Sequence, residues 1–257
     1  MKNQLMLVAA LSALVVTYAG IVTAGTAPAS GIYGSKHDIR TLAGVTETQD
    51  RLCAFCHTPH HAIDSTQGPL WAHTVTATQT NPYSSPSFDS KSIAIDDAYL
   101  GDIRLCMSCH DGTVAPDSYY GRTGSAGLPT GSTWETQPIL GYNMSQIHPI
   151  GFDLSAVIAA GTGVGGSPNL NSNLTLASTY RGNKNTAVTI GSRLFGGKYM
   201  TCRTCHDVHN QKNDTSLAIK SGTQHFFLLG GQYNSDLCIT CHNQAGNNPG
   251  ATVPEFY

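Results

Sequence analysis

Eight cysteines and eleven histidines are the residues of this 257-residue chain best able to do chemistry. All eight cysteines fall into four pairs of one spacing, and a histidine follows each pair at once. The four are Cys53-Ala54-Phe55-Cys56-His57, Cys106-Met107-Ser108-Cys109-His110, Cys202-Arg203-Thr204-Cys205-His206 and Cys238-Ile239-Thr240-Cys241-His242. Covalent haem attachment requires this form: two thioethers tie the vinyl groups to the chain, and the adjacent histidine is delivered to the iron as its proximal ligand. Structural zinc also uses CxxC pairs, but it gives no reason for a histidine at the same place after every pair. A disulfide framework does not repeat one spacing four times. A thioredoxin-type redox motif expects a single CxxC on an alternating strand and helix pattern, which is absent. The cysteines therefore imply four haem c groups with His57, His110, His206 and His242 as proximal ligands.

Seven histidines remain: His37, His60, His61, His73, His148, His209 and His225. Four are needed if every iron is held by imidazole on both faces, so supply exceeds demand. Methionine is a poor rival, since Met1 and Met6 lie at the extreme N-terminus and Met107 lies inside an attachment loop, leaving Met144 and Met200. His60 and His209 stand three residues after a proximal histidine. Such a step reaches at most about 10–11 Å, short of the roughly 12 Å between backbones that two imidazoles on one iron require. Each should thus reach a neighbouring haem: His60 the second and His209 the fourth, with His37 and His148 left for the first and third. Either of the last two could equally cross to another haem or another subunit. His61 reads as a solvent or outer-layer residue beside His60. His73 and His225, among apolar and aromatic neighbours, read as packing against a haem.

These sites must be positioned by a chain with few regular elements. Only 12% of its residues are charged, against about 25% in ordinary globular proteins, and Gly, Ser, Thr and Asn fill the difference. The expectation is a mostly irregular chain with short α-helices, organised around a stacked haem chain rather than a conventional core. The order of parts repeats: His37, a loop with His60, then a second loop ending at His110; His148, a loop with His209, then a loop ending at His242. This predicts one tetrahaem domain over 25–257 made of two haem pairs, about 33–120 and 140–257. Residues 1–24, with Lys2, an apolar run over 5–16 and the small residues of Val22-Thr23-Ala24, read as a secretory signal peptide rather than a membrane anchor. With 14 basic against 16 acidic residues, nothing points to nucleic-acid binding. Gly161-Thr162-Gly163-Val164-Gly165-Gly166 matches a dinucleotide fingerprint but leads into Ser167-Pro168-Asn169 rather than a helix, so it reads as a loop. The triplets at Asn143, Asn173 and Asn213 fit chance occurrence as well as glycosylation.

The loops "CAFCHTPHH", "PLWAH", "CMSCHDGTVA", "HPIGFD", "CRTCHDVHN" and "FFLL…LCITCH", in this order, resemble the multihaem c-type cytochromes of metal-reducing prokaryotes. The haem count, the early "GSKHDI" and the exported form are similar to tetrahaem extracellular filament (nanowire) cytochromes of the OmcE type. The resemblance covers most of residues 33–242. It implies bis-histidine haems in a continuous stack and head-to-tail polymerisation of subunits, with a histidine exchanged onto a neighbour's haem. His37, on an N-terminal arm, is the natural candidate for that exchange. It further implies secretion, upstream cytochromes as electron donors and extracellular acceptors such as metal oxides.

A bis-histidine iron is coordinatively saturated, which favours repeated electron transfer over catalysis, and histidine on both faces sets lower potentials than a His/Met pair. An electron-transfer protein is expected, not an enzyme. The rivals are a monomeric periplasmic carrier with the same haems and a nitrite or hydroxylamine type of reductase, which would need one open iron.

Overall fold

The protein is described from a computed structural model, which covers residues 32–33, 35, 37–63, 70–77, 81–84, 100–126, 140–141, 143–145, 147–161, 166–183, 186–209, 227–231 and 235–243. The expected signal segment, His225 and Asn213 lie outside the described residues. Five short α-helices appear among them: α1 (Asp102–His110), α2 (Leu154–Ala160), α3 (Ile190–Arg193), α4 (Cys202–Cys205) and α5 (Asp236–Cys241). A 3-10 turn spans Ile39–Thr41, and in place of sheets the described residues make isolated β-bridges. The coarse class expected from composition is thus observed: mostly irregular backbone with short helices.

Local chemistry explains why the helices stop so soon. Asp153 caps α2 by accepting from the Ala156 N–H at 2.9 Å, and Gly161 at its end takes φ 60. No helix starts in the described residues directly beyond Gly161; instead Ser167 N–H returns to the Gly161 carbonyl at 2.9 Å. Helix α3 is a single turn closed by a Thr189/Ser192 capping box. In α4 the Thr204 hydroxyl accepts from Thr201 N–H at 3.0 Å.

Burial concentrates in three clusters. The largest holds Phe152, Leu154, Val157, Leu170, Leu174, Tyr180, Ile190, Leu194, Met200 and Leu229, with Cys205 and Cys241 packed against it. A second gathers Ile39, Phe55 and Tyr119 beside Cys56. The third, Ile103, Met107 and Met144, takes in Cys202. Every cluster touches an attachment motif, so the apolar matter lies around these motifs instead of forming one core. Met144 and Met200, the methionines left over as possible ligands, are both core residues.

Asp102 joins the second motif to the third. Its Oδ2 accepts from the Thr201 hydroxyl at 3.1 Å and the Arg203 N–H at 3.2 Å, linking α1 to α4. The preceding Gly101 takes φ 58, and a side chain there would meet the Phe195 ring at 2.5 Å. Burial raises the Asp102 carboxyl above the usual carboxylate range, opposed by these bonds and by the Arg203 charge. A folded pKa above the unfolded one stabilises the fold below the unfolded value and loses that contribution as pH rises through the folded value. Asp102→Asn, which keeps an acceptor without the charge, should therefore remove that acid-side gain from the pH profile of urea denaturation. Asp102→Ala should cost about 1–3 kcal/mol, because two donors lose their acceptor.

Candidate functional site

The four CxxCH motifs adopt related one-turn backbones. His57, His206 and His242 each donate an N–H to the carbonyl of the first cysteine of their motif, at 2.9, 3.0 and 2.9 Å. Cys106 to His110 form the last turn of α1. Residues three apart on such a turn share a face, so each motif presents two thiols together and its histidine just past them. All eight cysteines are free. Burial pushes the Cys56 and Cys205 thiols up to about 12 and Cys241 up to about 11. At neutral pH they are thiols, the form that adds across a vinyl group to give a thioether.

Motifs 1, 3 and 4 also share a clasp. A returning segment donates to the carbonyl of the second cysteine and accepts from the residue after the histidine. Ala72 N–H bonds Cys56 O and Thr58 N–H bonds Leu70 O, both at 2.8 Å. Leu229 with Cys205 and Asp207 with Phe227 repeat this at 2.8 Å each, as do Asn171 with Cys241 at 2.8 Å and Asn243 with Asn169 at 2.7 Å. The register sets Trp71, Leu228 and Leu170 opposite His57, His206 and His242. Leu70 and Phe227 enter their clasps at φ 55 and φ 57, a left-handed conformation costly for side chains of this size.

Three imidazole pairs stand out, each joining the histidine of a CxxCH motif to one of the four histidines expected on the distal side. His37 meets His110, His209 meets His57 and His148 meets His242, all with ring centroids 6.1 Å apart and with ring planes at 82°, 24° and 67°. Two imidazoles on one metal, with metal–nitrogen bonds of about 2 Å, hold their centroids roughly 6.3 Å apart. Face-to-face stacking would instead bring them to about 3.5–4 Å. His148 Nδ1 donates to the Pro149 carbonyl at 2.9 Å, which leaves the Nε2 lone pair free to bind a metal. His37 is pushed down to about 4, chiefly by burial and then by His110, His206 and His209. It is neutral at physiological pH, and its covered Nδ1 has no protein partner. These residues fit bis-imidazole haem iron.

The partners differ from those expected by spacing. His37 meets the second motif's histidine rather than the first's, within its own chain. His209 returns to the first motif rather than the fourth, and His148 meets the fourth rather than the third. His60 is exposed, with its backbone tied to the Thr58 hydroxyl, and makes no ring pair with a proximal histidine among the described residues. Inability to bind its own haem leaves every other destination open, and only long-range folding selects one. Asp207 N–H on Phe227 O and the Asp207 carboxylate at 3.6 Å from Arg193 hold the 207–209 segment. Arg193 also donates to the carbonyls of Arg203 and His206, at 3.2 and 3.0 Å, fixing the end of α4.

His73 is buried, with Nδ1 on Thr74 O at 2.8 Å and Nε2 on Ala115 O at 3.1 Å, and Cys109 Sγ 3.6 Å from Nε2. It packs at the second motif. Neighbouring thiols link successive motifs. Cys56 senses Cys106, and Cys109 senses Cys56. Cys202 lies in hydrogen-bond reach of Cys106, and Cys205 senses Cys241 and Cys238. Sequence reasoning missed Asp102, Arg193 and the clasps; the clasp acceptors are backbone atoms, which no residue type reports.

No helix among the described residues is long and apolar enough to cross a membrane. The chain matches no protein-family model and no curated protein.

Proposed function

We propose that this chain binds four c-type haems and conducts electrons along them in motif order. The observation that carries this reading is the set of three imidazole pairs at one spacing, each containing the histidine of a CxxCH motif. Eight thiols anchor the groups, and His57, His110, His206 and His242 ligate from one face. His209, His37 and His148 close the first, second and fourth sites from the other. Haem iron supplies one-electron chemistry when bound. At the first, second and fourth sites the chain contributes saturation by imidazole, which resists ligand exchange, and at every site partial burial, which tunes the potential. The contacts between successive motifs set the route.

In the finer form of this reading, the protein is secreted and its subunits join end to end as a conductive extracellular filament, fed by other cytochromes and discharging to acceptors such as metal oxides. The resemblance of its loops supports this form. His37 faces its own chain's His110, so assembly need not exchange that ligand. A pyridine haemochrome assay on the mature secreted protein should give four haems per chain. Ferric spectra should be low-spin throughout, and electron microscopy should show filaments. Fewer than four haems overturns the electron-wire reading; four haems on a particle of monomer size retains the wire and removes the filament.

A further inference from the structure

Trp71 is the only one of the three clasp residues opposite a proximal histidine that carries a polar group. Leu228 and Leu170 hold the equivalent places at His206 and His242, so leucine satisfies the packing there. The Trp71 indole lies edge-on to His57 with centroids 5.9 Å apart, and it meets His73 at 6.4 Å. Its Nε1 is covered from solvent and has no hydrogen-bond partner among the described residues. An indole N–H can only donate, and leaving a buried donor unpaired costs more than the bond itself is worth. The site is therefore built for an acceptor that the described residues do not supply.

The alternatives nearby do not provide one. His73 lies 6.4 Å from the indole by ring centroids, and neither of its ring nitrogens is a hydrogen-bond partner of Trp71 Nε1. The open cleft beside His57, about 270 Å³, is lined by Arg51, Arg122, Tyr119 and Tyr120; two of these are cations, and the Tyr119 hydroxyl is engaged with Glu47 and Arg51. Haem brings two ionised carboxylates to every site, and a charge-assisted bond to one of them would pair the indole N–H with the stronger kind of acceptor.

We propose that Trp71 is a positioning residue that donates its indole N–H to a haem propionate at the first attachment site. This rests on the haem reading above. By drawing off part of the propionate's negative charge, the bond lessens the stabilisation of ferric over ferrous iron and so raises that site's potential relative to an otherwise equal site with leucine.

The test uses the full haem-loaded chain. Trp71→Leu copies the residue at the other two clasps, and Trp71→Phe keeps an aromatic ring. In a spectroelectrochemical titration both should lower one of four potentials, so that about tenfold less of that haem is reduced at a fixed applied potential, while the other three stay in place. In the reduced, diamagnetic wild type the chain's two tryptophans give two indole N–H resonances, and the one lost in the variants should exchange slowly with solvent. Four unchanged potentials, or rapid exchange of that resonance in the wild type, overturns the proposal. If a variant fails to mature, the wild-type exchange rate decides alone. A haem count below four per chain would instead sink the haem reading, so the two failures are told apart.

Discussion

Alanine at position 37 should convert the second haem, and no other, from low-spin to high-spin. His37 stands 6.1 Å from His110 by ring centroids, and its neutral imidazole is the facing group at that motif. Removing it leaves one imidazole on the iron and an open face. One quarter of the ferric iron should then give a high-spin signal and bind cyanide or carbon monoxide rapidly, where the wild type binds neither. The affected haem's potential should rise, since it loses a strong donor. His209→Ala should do the same at the first haem and His148→Ala at the fourth. His60→Ala should leave the first, second and fourth haems low-spin. Unaltered spectra in His37→Ala, or a high-spin second haem in His60→Ala, would show that the pairs seen here are not the ligand pairs.

Loss of the second attachment site should do the widest damage. Cys106 and Cys109 both belong to α1, whose Ile103 and Met107 are fully buried, and they lie between Cys56 of the first motif and Cys202 of the third. Cys106→Ala with Cys109→Ala should reduce the count to three haems per chain. A buried haem covers on the order of 200–400 Å² of apolar surface, so its loss should cost roughly 5–10 kcal/mol. That is comparable with the whole stability of an ordinary domain. The variant should be degraded, or unfold at much lower denaturant, as followed by circular dichroism. Surviving protein should pass electrons between the first and third haems far more slowly in flash-reduction experiments. A fully stable three-haem protein would mean that polypeptide packing holds this fold without that group.

Both predictions depend on features that differ in how far they could be read beforehand. The one-turn form of the CxxCH motifs was legible because it is local: the five residues of each motif close a turn within themselves. The irregular backbone was legible as well, since a chain with few charges and many Gly, Ser, Thr and Asn residues builds few periodic elements. His209 shows where reading ended. Its distance from His206 rules out one iron, and the repeat of two haem pairs points to the fourth site. The fold instead turns 207–209 back to His57, across more than 140 positions, by way of Arg193 and Phe227.

By itself, then, the order of residues determined the four CxxCH motifs and the shortage of regular structure. Tertiary structure alone decided which distant histidine faces which motif, that Asp102 joins the second motif to the third, and that Trp71 presents an unpartnered donor beside His57. The division has a physical cause. Spacing within one turn fixes geometry through covalent reach, whereas a partner a hundred residues away is selected by clusters and clasps whose energies depend on every segment arriving together.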